Sequence, residues 1–141
     1  MHWRGYHSLK EAFAAGTTPA AAELNGYYAV RLVTGILPDI RFFSHCKFFP
    51  DDVATRGGGF NEFLGLIKIG DFITEEALSI LGDGQQVLRI NYNRPGNPFW
   101  LKGLNDELKM LQPGFYLGRG VYRLGSCALN TFYFSVERIS Q

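Results

Sequence analysis

The sequence predicts an all-β chain, a single up-and-down antiparallel barrel preceded by a short helix. Three observations predict it. Glycine accounts for 17 of 141 residues and aromatics for 15%, a mixture that suits strongly bent strands better than a helical bundle. Apolar segments of strand length follow one another between turn signals such as Asp83-Gly84, Pro113-Gly114 and Gly125-Ser126. Seven or eight such strands in near-continuous succession would leave exposed edges unless the sheet closed on itself. No repeat, heptad pattern or linker interrupts the chain, so residues 1–141 are expected to form one domain, with barrel strands between about 26 and 138.

The first element is a helix over about residues 8–15. Ser8 and Glu11 form a capping box, Leu9, Ala12 and Phe13 recur at helical spacing, and Gly16 stops the run. With Phe13 as its anchor, this helix is expected to plug one end of the barrel. Tyr27, Tyr28, Val30, Leu32 and Val33 read as the first strand, ended by Gly35 and a turn at Leu37-Pro38-Asp39. Ile40 to Phe49 reads as the second, with an exposed Lys47. Asp51 to Gly59 is a polar loop whose glycines lack the Lys-Ser/Thr and the following helix of a phosphate cradle. Phe60 to Ile69 reads as one strand. Asp71 to Leu81 reads as strand rather than a Thr74-capped helix. Gln86 to Asn93 alternates, with Leu88, Ile90 and Tyr92 on one face and Arg89, Asn91 and Asn93 on the other. A loop at Arg94 to Pro98 and an extended Phe99 to Gly103 lead into the closing meander.

That meander carries the candidate site. Pro-Gly suits a type II turn and Gly-Ser a type II′ turn. Gln112 facing Phe115 sets Met110 opposite Leu117, Leu108 opposite Arg119 and Asp106 opposite Val121. Leu124 facing Cys127 sets Arg123 opposite Ala128, Val121 opposite Asn130, Arg119 opposite Phe132 and Leu117 opposite Phe134. All these residues then share one apolar face, and Tyr116, Tyr122 and Tyr133 share the wet one with Gly118 and Gly120. Asp106, Arg119, Arg123 and Asn130 are polar groups where alternation expects burial, so they must pair, reach water or meet a ligand. Two readings follow for them. In one, Asp106 and Arg119 form a structural ion pair. In the other, Arg119, Arg123 and Asn130 hold a polar head group, with Phe132, Phe134, Leu117 and Met110 around an apolar tail.

The helix leading into Leu24-Asn25-Gly26-Tyr27-Tyr28, followed by up-and-down strands, resembles the lipocalin-like (calycin) β-barrels, which enter their first strand with Gly-x-Trp. Tyr28 stands at the tryptophan position. The resemblance implies a cavity for a small hydrophobic or amphipathic molecule, and the departure from the pattern at Tyr28 points to a divergent intracellular relative rather than a secreted lipocalin.

Other chemistries find little support. Lys plus Arg is 14 against 13 Asp plus Glu, so no charge excess argues for nucleic acid or an acidic membrane. His2, His7 and His45 have no partner at metal-ligand spacing, so neither a metal nor another cofactor is expected. His45 and Cys46, as strand neighbours, point to opposite faces and make no catalytic pair. Cys46 and Cys127 read as buried reduced thiols. No segment has the length and apolarity to span a bilayer and no leader pattern is present, which makes the cytoplasm the expected location. Two rivals to simple binding remain. One is a barrel isomerase, cyclase or hydrolase with Asp106 or Glu62 as acid or base beside Arg119. The other is an interaction module forming a homodimer through the tyrosine-bearing outer face.

Overall fold

The computed structural model describes residues 8–33 and 45–140. They form α1 (Leu9–Ala15), a 3-10 turn (Ala21–Glu23), β1 (Gly26–Val33), β2 (His45–Phe49), α2 (Val53–Arg56), β3 (Gly59–Phe63), β4 (Ile67–Leu78), β5 (Gln86–Asn91), α3 (Phe99–Lys102), β6 (Leu104–Gln112), β7 (Phe115–Leu124) and β8 (Cys127–Ser140). The strands pair antiparallel in chain order and β8 returns to β1, closing an eight-stranded barrel with no free edge. The turn expected at Leu37 to Asp39 and the first part of the expected strand from Ile40 lie outside the described residues.

Three local expectations change. Phe60 to Ile69 is a hairpin and not one strand, because Leu64 (φ 56°) and Gly65 (φ 68°) take left-handed backbone and turn the chain. The loop at 51–59 and the segment at 99–103 each contain one short helical turn, α2 and α3. Strand wins over helix at 71–78, as the sequence suggested.

The closing meander holds the main correction. Both turns are where the sequence puts them, with Gln112 opposite Phe115 and Leu124 opposite Cys127. Past each turn one extra residue enters a neighbouring strand: Leu111 in β6 and Thr131 in β8. Beyond these bulges Asp106 faces Gly120 rather than Val121, and Arg119 faces Tyr133 rather than Phe132. The two bulges shift β7 by one residue against both neighbours. Phe115, Leu117, Arg119 and Val121 therefore point out of the barrel, while Tyr116, Gly118 and Gly120 point in. Steric demand accounts for the choice. A Cβ on Gly118 would lie 2.3 Å from the Phe134 ring, and one on Gly120 2.3 Å from the Phe132 ring. Only glycine leaves room for these two phenylalanines inside.

The outward apolar face of β7 is covered by α1. Ala12 and Phe13 pack with Val87 and Leu117, and Leu9, Leu111 and Tyr133 extend the contact. The helix thus lies along the wall of the barrel and does not plug its end. At the end, Leu24, just before β1, and Val53 of α2 join the interior core, and Ala21 of the 3-10 turn packs against it. That core fills one half of the barrel with Tyr28, Phe49, Phe72, Leu88, Ile90, Leu108, Tyr116 and Val136. Tyr116 is buried there, so the three tyrosines do not share an exposed face. Cys127 is exposed rather than buried, at the tight β7–β8 turn.

Candidate functional site

Among the described residues, the other half of the barrel is left unfilled. A cavity of about 340 Å³ lies above the packed core, at the small end of ligand-site volumes. Its upper wall is Leu32, Phe63, Ile69, Trp100, Leu101, Leu104 and Phe132, and Val30 and Phe134 lie deeper. At the bottom sit His45, Lys47, Asn61, Tyr92 and Asp106, a polar group on an otherwise apolar surface.

Alternation delivers these side chains to one place. On β2, His45, Lys47 and Phe49 point inward; on β3, Asn61 and Phe63; at the end of β5, Tyr92; on β6, Leu104, Asp106 and Leu108. Lys47, 2% exposed, uses all three of its ammonium protons. It donates to Tyr92 OH at 2.6 Å and Asn61 Oδ1 at 2.7 Å, and it pairs with Asp106 Oδ2 at 3.1 Å. The Tyr92 hydroxyl donates to the same Asp106 oxygen at 3.0 Å and accepts from Asn61 Nδ2 at 3.1 Å. His45 Nε2 lies 3.1 Å from Asn61 Oδ1. The rings of Phe72, Tyr92 and Phe134 stand 5.3–5.8 Å from the ammonium.

Burial governs the protonation of this cluster. Desolvation lowers the Lys47 pKa below the usual lysine value, although the Asp106 charge pulls it back up. Desolvation, reinforced by the Asp106 charge, raises Tyr92 well above the usual tyrosine value, so its hydroxyl keeps the proton it donates. Asp106 Oδ1 is buried and has no hydrogen-bond partner among the described residues. A buried carboxylate oxygen in that position is an acceptor without a donor, on a residue that lines the cavity.

Of the eight residues expected at the site, Asp106, Phe132 and Phe134 line the cavity. Met110 faces inward but packs against the closed half. Leu117 lies under α1. Arg123 and Asn130 are exposed toward the β7–β8 turn. Arg119 is buried on the outer wall, not in the cavity. Its Nε meets Glu107 Oε1 at 3.0 Å, its Nη2 meets Ser79 Oγ at 2.8 Å and Asp83 Oδ2 at 3.0 Å, and its guanidinium lies 4.2 Å over the Phe13 ring. The expected Asp106–Arg119 pair is therefore replaced by two separate ion-pair systems, Asp106 with Lys47 inside and Arg119 with Glu107 and Asp83 outside. Glu62, next to the inward Asn61, faces away from the cavity, so Asp106, Glu62 and Arg119 do not meet.

Sequence reasoning missed Lys47, Asn61 and His45. The available signal for Lys47 was its spacing of two from Phe49, which places it on the same face as a core phenylalanine.

Among the described residues, no group of three or more His, Cys, Asp or Glu is placed to hold a metal, and no helix is long and apolar enough to cross a membrane. No family model, no curated protein and no solved structure matches the chain.

Proposed function

We propose that the chain binds a small, largely apolar molecule in the open half of the barrel, with the polar end of that molecule directed at the Lys47–Asp106 floor. The observation that carries this reading is the unpartnered, buried Asp106 Oδ1 at the base of an apolar cavity. An unpaired buried acceptor costs about 1–3 kcal/mol, a cost that a ligand hydroxyl donating to it would offset. The closed antiparallel barrel and the half-empty interior agree with the lipocalin-like resemblance of the first strand.

The test is competition for an apolar fluorescent dye, N-phenylnaphthylamine. Decanol should displace it about tenfold better than decyl methyl ether, which has the same chain but no donor, since a hydrogen bond to a charged acceptor contributes about 1.5–3 kcal/mol. Trp100, at the cavity wall, should report occupancy through its fluorescence. Failure of the dye to bind would overturn the cavity reading; equal displacement by alcohol and ether would overturn the role of Asp106.

A further inference from the structure

The lysine at the cavity floor has a chemistry that hydrogen bonding alone does not use. A buried amine beside apolar rings, with a carboxylate as counterion, is the environment in which lysines form Schiff bases with carbonyl compounds. We infer that Lys47 condenses reversibly with an apolar aldehyde or ketone held in the cavity, and that Asp106 holds the positive charge of the resulting iminium. This inference rests on the binding reading above and specifies the head group.

The balance of the reaction fits the site. The Lys47 ammonium gives up one proton, its nitrogen lone pair bonds to the carbonyl carbon, and the carbonyl oxygen takes that proton to become a hydroxyl. The hydroxyl leaves as water with a second nitrogen proton, and the C=N bond forms. One ammonium and one carbonyl thus become one iminium and one water, with nothing oxidised or reduced. Net charge is the same before and after, so the buried Asp106 carboxylate has a cation beside it in both the free and the condensed state, which avoids the lasting cost of a stranded buried charge.

The hydrogen bonds also close. The iminium nitrogen keeps one proton, and Asp106 Oδ2 at 3.1 Å is its acceptor. The two acceptors that lose a lysine proton each have another partner. Asn61 Oδ1 has His45 Nε2 at 3.1 Å, a donor in the tautomer that carries its proton on that nitrogen, and Tyr92 OH has Asn61 Nδ2 at 3.1 Å. The hydroxyl of the intermediate carries a donor for the unpaired Asp106 Oδ1. Product water leaves by the open half of the cavity. Desolvation of the ammonium, which lowers the Lys47 pKa, raises the share of neutral amine available to attack.

Decanal at one equivalent, at neutral pH, followed by borohydride reduction, tests the inference. Intact-mass measurement should show a single decyl adduct, and peptide mapping should place it on Lys47 at least tenfold over Lys10, Lys68, Lys102 or Lys109. Lys47→Arg keeps a cation beside Asp106 but cannot condense, and it should lose that adduct. Because Lys47→Arg could disturb the floor, Lys47→Met combined with Asp106→Asn serves as a second variant, with dye binding confirming an intact cavity. Labelling spread over exposed lysines, or no labelling, while decanol still displaces the dye overturns the covalent step alone. Absence of both labelling and displacement overturns the cavity reading as well.

Discussion

Replacing Arg119 with methionine separates the wall of the barrel from its interior. Arg119 is 2% exposed and is held between Glu107, which is fully buried, and Asp83, which is about one-third exposed. Removing one partner of a buried ion pair costs about 3–5 kcal/mol. Glu107 retains Ser79 Oγ at 2.8 Å and the Ile80 amide at 2.9 Å, and Asp83 can turn to water, so the lower end applies, about 3 kcal/mol. Loss of the guanidinium stacked on Phe13 adds about 1 kcal/mol. With a urea slope of about 2 kcal/mol/M, the unfolding midpoint should fall by about 2 M. Binding of the apolar dye at low urea should stay within about twofold of wild type, since Arg119 is not at the cavity. Adding Glu107→Leu should recover part of the loss, because the stranded carboxylate goes with it. A midpoint unchanged within about 0.3 M, or a tenfold loss of dye affinity at unchanged stability, would refute the placement of β7.

Two further outcomes test the same arrangement. Gly118→Ala should destabilise by about 1–3 kcal/mol, because the new Cβ would lie 2.3 Å from the Phe134 ring; adding Phe134→Leu should restore stability in urea melts, and an alanine tolerated without loss would place Gly118 outside the barrel. The Tyr116 hydroxyl, buried in the closed half, is pushed up from 10.0 to about 12, mainly by desolvation. The folded state therefore holds this proton more tightly than the unfolded one, so the contribution is complete below pH 10 and is lost as pH rises toward 12. Tyr116→Phe should flatten the decline of stability between pH 10 and 12 by about 2 kcal/mol, and a parallel decline in both proteins would contradict that burial.

Strand identity was legible because it depends on local pattern. Tyr27 to Val33, Gln86 to Asn91 and the two hairpin turns needed only alternation and turn chemistry. Closure of the sheet followed from the number of strands and the absence of a device to protect an edge. Register past the turns was not legible. A bulge at Leu111 or Thr131 is decided by whether Phe134 and Phe132 can lie across Gly118 and Gly120, a contact between strands that no single segment encodes. Once β7 turned over, its apolar face needed a cover, and only tertiary structure brings α1 to that wall. The cavity partners were hidden for a related reason. Asp106 looked anomalous on an apolar face, but Lys47 reaches it from β2, far along the chain. Their pairing depends on the closure of the barrel.

The barrel's division into a filled half and an open half means that neighbouring inward positions on one strand answer to different constraints. On β6, Leu108 is wholly buried among aromatic rings, so any change in its volume must be absorbed by a close-packed interior. Leu104, four residues earlier on the same face, borders unfilled space, where added or removed methylenes alter the shape of the cavity without displacing a neighbour. The same contrast separates Phe49 from His45 on β2 and Val136 from Phe132 on β8. Cavity shape is thus written on one rim of the cylinder and folding stability on the other, and the two can diverge independently within one chain. A scaffold arranged in this way can reshape its cavity while its cooperative unfolding unit stays fixed.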